Sequence, residues 1–258
     1  MSRHLERVEW RRRRKIDRGE WPFSIPAVGR LIDEGGFEVP AGVTILVGEN
    51  GSGKSTLVEA FARVYPRHGA ESSSPISVTG PEASEEDSPL HWHLKARTAF
   101  LAAPGGFFLR AETMHAYLSQ VDSDPAEQRA WGGKHMQARS HGESFLEVLR
   151  HRFNDPGVYF LDEPESALSF QSSLALLVIL DALRHEGSQV ILATHSPLLA
   201  ALPGANIIEI GEWGMRPAAW DELELTQSWK GFLDAPQRWL KHLLGWLPSP
   251  RDQPFRAG

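Results

Sequence analysis

Short apolar runs recur along the chain, separated by segments in which apolar residues have helical spacing. Buried strands give short runs of this kind, and amphipathic helices give the longer pattern. The runs are VTILVG at 43–48, VYFL at 158–161, VILA at 190–193 and NIIEI at 206–210. The helical segments are STLVEAFARVY at 55–65, HGESFLEVLRHRF at 141–153 and SFQSSLALLVILDALRHEG at 169–187. This alternation predicts an α/β fold with a mainly parallel, helix-covered sheet, whose functional residues cluster where the strands end.

Less regular segments lie between and after these elements. Residues 98–103, TAFLAA, resemble another strand, and residues 105–121 resemble a glycine turn that leads into a helix. A stretch rich in Ser, Pro, Gly and acid begins at residue 66, so we expect an inserted, partly helical lobe over about 66–145. Residues 222–258 are expected to form helices. The near-helical spacing of three of the tryptophans favours the core for them: Trp229, Trp239 and Trp246.

Composition narrows the class of protein. With 258 residues, 41% of them hydrophobic, the chain fits a single domain, 1–258, that can bury a sizeable core. It contains no Cys, which excludes disulfides and thiolate metal sites and fits a cytoplasmic location. The longest apolar run, 174–180, is too short to span a bilayer, so we expect no direct membrane insertion.

The charge is uneven along the chain. The net charge of −6 argues against general nucleic-acid binding, whereas the run RRRRK at 11–15 could bind phosphate or anionic lipid. The alternative for this run is a solvated surface segment, and we expect residues 1–20 to form a basic amino-terminal arm. The first residues lack the apolar stretch of a secretory signal.

A phosphate-binding loop follows the first apolar run. GENGSGKS fits the pattern G-x-x-x-x-G-K-[S/T], and it stands between a predicted strand and a predicted helix, as a P-loop NTPase requires. Its backbone N–H groups and the helix amino terminus would bind phosphate oxygens. Lys54 is expected to reach the β- and γ-phosphates, Ser55 to bind Mg²⁺, and Thr56 to contact the α-phosphate. The candidate nucleotide-binding residues are Gly48, Glu49, Asn50, Gly51, Ser52, Gly53, Lys54, Ser55 and Thr56.

Polar residues also end two later strands. Asp162 stands where phosphoryl transfer needs a Mg²⁺ ligand from a neighbouring strand, and Glu163 is the candidate general base for the attacking water. Thr194 and His195 end the next strand, and a His there can bind the γ-phosphate or the water. The 33 residues from Asp162 to His195 suffice for one helix and a return to the adjacent strand, so both strand ends should face one crevice.

Four motifs in this order, GENGSGKS, SHGES, FLDEPESAL and ATHSP, resemble the ABC-type ATPase family. That family has a Walker A loop, a signature of the form LSGGQ, a Walker B strand with a catalytic Glu, a D-loop and a switch His. Ser140 and Gly142 match the signature, Glu143 stands for its Gln, and His141 departs from it. Residues 165–168 stand for the D-loop. The chain is most similar to small stand-alone bacterial ATPases that resemble the DNA-repair and chromosome-maintenance branch.

The resemblance implies that ATP and Mg²⁺ are bound and that a second copy completes the site. In the family, the signature of one subunit caps the ATP on the Walker A loop of another, so we expect a homodimer on ATP binding. Ser140 and the Gly142 N–H would then contact the γ-phosphate across the interface. Ser140 and Glu143 also fit a capping box at the start of a helix, and the two roles are compatible.

Two features of the family lack a clear counterpart. No Gln follows residues 98–103, where the Q-loop Gln is expected, and Arg110 or Glu112 are the candidates to replace it. Trp21 and Phe23 lie at a suitable distance upstream for the aromatic residue that stacks on adenine, although an aromatic in this setting is more often part of the core.

The leading functional hypothesis is an ATPase whose dimerisation and hydrolysis act on a partner, either nucleic acid or protein. The alternative is the ATPase subunit of a membrane transporter, and the degenerate signature and the missing Gln count against it. A small-molecule kinase would need the phosphate loop but neither the signature nor His195. The presence of Glu163 argues against a sensor that binds ATP without hydrolysing it.

Overall fold

The computed structural model describes residues 3–11, 15–65, 88–102, 105–111, 123, 141–153 and 156–244. A six-stranded sheet forms the centre of this part of the chain. Its neighbouring strands are parallel except for the last two, which form an antiparallel hairpin. The predicted α/β fold with a mainly parallel sheet is therefore confirmed. From one edge to the other, the strands are β5 (Gly105–Arg110), β6 (Gly157–Asp162), β7 (Gln189–Thr194), β3 (Val43–Val47), β8 (Asn206–Gly211) and β9 (Gly214–Pro217).

Helices cover both faces of this sheet, because its strands carry buried side chains on both sides. Ile45 of β3 belongs to one hydrophobic cluster and Leu46, the next residue, belongs to the other. The first cluster packs against α3 (His141–Arg152), α4 (Phe170–His185) and α5 (Pro197–Ala200). The second packs against α1 (Pro26–Asp33) and α2 (Lys54–Val64). Among the described residues, no helix has both the length and the hydropathy needed to cross a bilayer.

A second, antiparallel sheet contains residues predicted to belong to a basic arm. Strand β1 (Leu5–Trp10) lies between β2 (Gly36–Glu38) and β4 (Leu94–Thr98). The prediction of an arm over residues 1–20 is wrong for this strand, because Leu5 and Val8 are fully buried against the second cluster. Its partner strands are distant in sequence, so no local pattern marks β1.

The structure also corrects the element predicted at 98–103. Phe100 and Leu101 are exposed, and the strand next to this segment is Gly105–Arg110, where a glycine turn and a helix had been predicted. The apolar run from Phe107 to Leu109 is buried on both faces of the sheet, and it pairs with β6 throughout. The described strands within 66–145 thus belong to the two sheets rather than to a separate lobe.

Residues 224–244 of the carboxyl-terminal region form two helices, but the tryptophans Trp229 and Trp239 in them are not buried. Helix α6 spans Glu224–Asp234 and α7 spans Pro236–Leu244, with the break at a proline. Trp229 and Trp239 are 49% and 44% exposed, so the expectation that they lie in the core is wrong. Trp246 lies outside the described residues. The helical spacing of these tryptophans corresponds to an apolar stripe on the two helices, and this stripe is exposed to solvent instead of packed in the described core.

Candidate nucleotide-binding site

The loop between β3 and α2 requires glycine at several positions. Gly51 and Gly53 have φ angles of +79° and +99°, values that L side chains rarely adopt. A Cβ on Gly53 would lie 2.5 Å from the Ile25 Cγ2, and a Cβ on Gly48 would lie 2.4 Å from the carbonyl oxygen of Ile210. The amino terminus of α2 has no side-chain cap. Its free N–H groups and positive end therefore favour an anion at this loop.

Lys54 lies under this loop with its charge almost fully buried. Its side chain is 2% exposed, and its Nζ donates to the carbonyl oxygen of Glu49 at 2.8 Å. The same Nζ lies 3.6 Å from the Glu163 Oε1. A buried ammonium group with a carboxylate as its ionic partner keeps a strong affinity for anions that enter the loop. Ser55 and Thr56 occupy the first turn of α2, directly after Lys54.

Asp162 ends β6 beside the first turn of α2. It is only 4% exposed, and its Oδ1 has no hydrogen-bond partner among the described residues. Burial raises the pKa of Asp162, while the hydrogen bond from Ser55 and the nearby Arg110 guanidinium act in the opposite direction. A buried carboxylate oxygen without a partner, next to the Ser55 hydroxyl, offers two oxygen ligands of the kind that Mg²⁺ prefers. Asp162 and Ser55 therefore fit the predicted metal site.

Glu163 follows in a strained backbone conformation. Its φ and ψ of 47° and 51° lie in the left-handed region, and it is the one non-glycine residue with positive φ in the part of the chain described. Its N–H donates to the carbonyl oxygen of Ala193 at 3.0 Å, which anchors it to β7. Strain of this kind persists only where the surroundings hold it, and it concentrates at functional sites. The side chain is 27% exposed and so remains accessible to water.

His195 lies beside Glu163, as the spacing predicted. Its Nδ1 is 3.8 Å from the Glu163 Oε2 and 3.4 Å from the Glu165 Oε1. The register of the parallel pair places Asp162 opposite Ala193, so the two strands end side by side. The structure thus brings together Lys54, Asp162, Glu163 and His195 at the carboxyl edge of the sheet.

Glu165 also belongs to this arrangement, as a hydrogen-bond acceptor, and sequence reasoning did not identify that role. Its Oε1 accepts the Thr194 hydroxyl at 2.5 Å and the His195 N–H at 2.7 Å, and its side chain is only 9% exposed. Sequence reasoning had placed Glu165 in the D-loop. The sequence shows a second acidic residue two positions after Glu163. The residues that donate to it, Thr194 and His195, lie 29 and 30 positions further along the chain, so no local pattern links them.

Arg110 links the end of β5 to the same site. Its Nε donates to the Asp162 Oδ2 at 3.1 Å, and its Nη2 donates to the Glu59 Oε2 at 2.7 Å. Glu59 is a buried residue of α2 that also accepts from Arg63 at 2.9 Å. Burial alone would lower the pKa of Arg110, but the hydrogen bond to Glu59 and the charge of Asp162 raise it. Arg110 thus lies beside the predicted metal site, in the region where a Q-loop residue was sought, while Glu112 lies outside the described residues.

The signature motif is described only in part. Ser140 lies outside the described residues, whereas Gly142 and Glu143 fall in the first turn of α3, so the predicted helix does begin at this motif. Phe145 and Leu149 of the same helix are fully buried in the first cluster. The helix that carries the signature is therefore fixed to the central sheet.

Loop, strand ends and sheet order define a P-loop ATPase, and the comparison with protein families gives its family. A family model described as ABC transporter matches residues 36–166, just over half of the chain, so the chain belongs to this family and is an ABC-type ATPase domain. A second model, of an AAA domain, matches residues 146–201.

Several curated relatives are named as import ATP-binding proteins. The chain is 29% identical over 180 residues to the ribose import ATP-binding protein RbsA of Jannaschia sp., a match that covers 60% of this chain and 33% of the relative. It is 29% identical over 212 residues to the arabinose import ATP-binding protein AraG of Ralstonia nicotianae, covering 70% and 39%. The hemin import ATP-binding protein HmuV of Idiomarina loihiensis is 29% identical over 188 residues, covering 64% and 70%.

The chain spans between a third and two fifths of the length of the two sugar-import relatives. Among solved structures, cbiO1 from Clostridium perfringens, part of the ABC transporter complex cbiONQ, aligns with a TM-score of 0.47 and 16% identity, covering 95% of this chain and 100% of that one. The names of the import relatives give no support to the hypothesis of a nucleic-acid partner.

Proposed function

We propose that this chain hydrolyses Mg-ATP at the loop and strand ends described above, as the ATP-hydrolysing subunit of a membrane transporter. The observation that carries the ATPase site is the convergence of a buried lysine, a buried aspartate and a strained glutamate beside one phosphate-binding loop. Lys54 and Glu163 are 3.6 Å apart, and Asp162 is the residue before Glu163. Such a set suits phosphoryl transfer, in which the protein positions groups and stabilises charge.

Phosphate binding would rearrange the ion pair in the loop. Lys54 and the N–H groups of Gly48–Gly53 would hold the β- and γ-phosphates. The phosphates then compete with Glu163 for the ammonium group of Lys54. This competition frees the Glu163 carboxylate to accept a proton from the attacking water.

Ser55 and Asp162 would hold Mg²⁺, which when bound neutralises phosphate charge and orients the phosphates. Among the described residues, no group of three or more His, Asp or Glu side chains forms a separate metal site. His195, held at the end of β7 by Glu165, would hydrogen-bond the γ-phosphate or the water.

A second copy would complete the site with its signature motif. Ser140 and Gly142 of one copy would approach the γ-phosphate on the loop of the other, and Glu143 would lie beside them. The chain carries one Walker A loop and one signature, so two copies related by a two-fold axis would share two sites.

Light scattering tests this shared site. The Glu163→Gln variant should bind ATP without hydrolysing it, so we expect its solution mass to double with Mg-ATP and to stay monomeric with ADP. Ser140→Arg in the same background should abolish the change in mass. If mass never responds to Mg-ATP, two copies do not share the site.

The transporter assignment rests on the relatives, which are named as import ATP-binding proteins. A nucleic-acid partner has no comparable support. Arg3, Arg7 and Arg97, at and beside the second sheet, are each paired with Glu38, while most of the basic run at 11–15 lies outside the described residues. We expect the tagged chain, made at its native level, to sediment with membranes and to be released by detergent together with a polytopic protein. Recovery without such a protein would contradict the assignment.

A further inference from the structure

A cavity of about 620 Å³ opens beside the phosphate-binding loop, on the side opposite to Asp162 and His195. The loop residues Gly48–Ser52 form one end of it, and the end of β8, the β8–β9 turn and α6 form the rest. The Ser52 Oγ, in the residues that line this cavity, is buried and has no hydrogen-bond partner among the described residues. A volume of this size is typical of sites for small molecules.

Two tryptophans stand in the cavity wall. Trp213, in the β8–β9 turn, is held by the Arg216 guanidinium, whose carbon lies 3.9 Å from the ring centroid. Gly211 makes room for it, since a Cβ there would lie 2.6 Å from the Trp213 Cζ2. Trp229 projects from α6 and is 49% exposed. Indole walls of this kind bind the flat face or edge of a nucleic-acid base.

The charge of the cavity opposes that of the loop. Among the described residues that line it, none is Lys or Arg, and four carry carboxylates: Glu49, Glu209, Glu212 and Glu224. Glu209 is already paired, because its Oε2 accepts from Arg216 at 2.6 Å and its Oε1 accepts the Glu224 N–H at 2.9 Å. An acidic wall disfavours phosphate but accepts hydrogen bonds from ribose hydroxyls and from amino groups of a base. A ligand that spans loop and cavity must therefore be anionic at one end and a neutral donor at the other.

The upstream aromatic residues do not line this cavity. Phe23 packs against the rings of Trp10 and His93, with centroids 6.3 and 5.3 Å away. Trp21 is 54% exposed but is absent from the lining, to which this segment contributes only Pro26. The aromatic surface next to the loop thus comes from residues downstream of His195.

We propose that this cavity is the nucleoside subsite, in which Trp213 and Trp229 hold the base and the carboxylates hold the ribose, while the triphosphate lies on the loop. The assignment rests on the proposed function, because it places the other end of the same ATP molecule. It adds that the affinity for nucleotide over bare triphosphate comes from residues of the β8–β9 turn and α6.

Calorimetry on the full chain tests the subsite with two ligands, Mg-ATP and magnesium tripolyphosphate. Wild type should bind Mg-ATP at least about tenfold more tightly than tripolyphosphate, the range expected when one base stacks on an aromatic side chain. Trp229→Ala and Trp213→Ala should each remove most of that difference and leave tripolyphosphate binding unchanged. Trp92→Ala, at an exposed tryptophan outside the cavity, is the matched control and should behave as wild type.

Three results would overturn the subsite. One is equal affinity of wild type for the two ligands, which does not depend on the folding of any variant. Another is a tryptophan variant that keeps full ATP affinity. The third is equal weakening of both ligands, which would show a structural rather than a base-specific role. If wild type binds neither ligand, the proposed ATPase function itself fails, and the subsite fails with it.

Discussion

The two sides of strand β3 differ in how their charges are arranged. On the β6 and β7 side, acidic groups are matched with basic ones: Arg110 bridges Asp162 and Glu59, and Lys54 faces Glu163. On the β8 side, the described residues that line the cavity include four carboxylates and no Lys or Arg, and of these four Glu209 is paired with Arg216 from outside the lining. One loop separates a compact network of ion pairs from an open acidic cavity with aromatic walls.

We infer from this difference that the two sides of β3 bind different parts of one nucleotide. Groups that take part in phosphoryl transfer must be held in place before the substrate arrives, and paired charges with short hydrogen bonds provide that order. Binding of a base and a ribose requires only an aromatic surface and hydrogen-bond acceptors. The comparison therefore predicts that changes on the β6 and β7 side alter catalysis, whereas changes on the β8 side alter affinity for the nucleoside.

The largest effect on ATP hydrolysis is expected at Lys54, because we propose that its ammonium group binds the triphosphate directly. Lys54→Ala removes the buried ammonium group from the loop and leaves Glu163 without its partner at 3.6 Å. We expect ATP hydrolysis to fall by at least about 100-fold, with tripolyphosphate binding weakened in parallel. Steady-state phosphate release and calorimetry measure the two quantities. Lys95→Ala, at an exposed lysine of β4, is the control, and equal behaviour of the two variants would contradict the site.

Arg110→Met should cause the next largest change, and it tests whether the ion pairs hold the catalytic side together. The change leaves the buried Asp162 and Glu59 without a shared guanidinium. Removing one partner of a buried pair costs about 3 kcal/mol, which urea unfolding at neutral pH would measure. The comparison predicts weaker Mg²⁺-dependent binding of ATP, with Mg²⁺-independent binding much less affected. Unchanged stability would show that Arg110 is dispensable to the network.

A smaller and more specific effect is expected at Glu165, as a positioning residue. Glu165→Ala leaves the Thr194 hydroxyl and the His195 N–H without their acceptor. We expect kcat to fall about tenfold with KM nearly constant, and Glu165→Gln to recover most of the loss because its amide oxygen still accepts. Glu186→Ala, at an exposed acid after α4, is the control. Equal losses in the Ala and Gln variants would argue against this role.

The smallest effect is expected at Glu38, away from both sides. The Arg7 hydrogen bond lowers the pKa of Glu38 against a small effect of burial, and Arg3 lowers it further. Because the folded-state pKa is depressed, the stabilisation is present above the ordinary pKa of Glu and is lost as pH falls through the folded value. Glu38→Gln should lower the free energy of unfolding by about 0.5 kcal/mol at pH 7, since the ion pair is largely exposed. At a pH below the folded-state pKa of Glu38 the substitution should have no effect. Urea unfolding of both proteins at pH 7 and at such a low pH measures the two differences.

Local patterns were sufficient for strands β3, β6, β7 and β8 and for the residues at their ends, but not for β5, whose apolar run was read as a turn and a helix. The loop from Gly48 to Ser55, the acids after β6 and His195 after β7 are each marked by a few consecutive residues. Strand β1 was missed because its partners, Gly36–Glu38 and Leu94–Thr98, are distant in sequence.

Contacts between distant elements also explain what was missed in the site. Glu165 acts on Thr194 and His195, and Arg110 on Glu59 and Asp162, so each role exists only once the strands are side by side. Of the two cavity tryptophans, Trp229 has a helical spacing that favoured the core, and no pattern marked Trp213. Only their exposure in the structure shows that they line a cavity.

The most direct test of the catalytic site is single-turnover hydrolysis by wild type and Glu163→Gln, each in excess over Mg-ATP. Both proteins should bind the same fraction of ATP. Conversion of bound ATP to ADP should be about 100-fold slower in the Gln variant, because it lacks the carboxylate that accepts the proton of the attacking water. Conversion at the wild-type rate would contradict the assignment of Glu163 and, with it, the account of the catalytic side of β3.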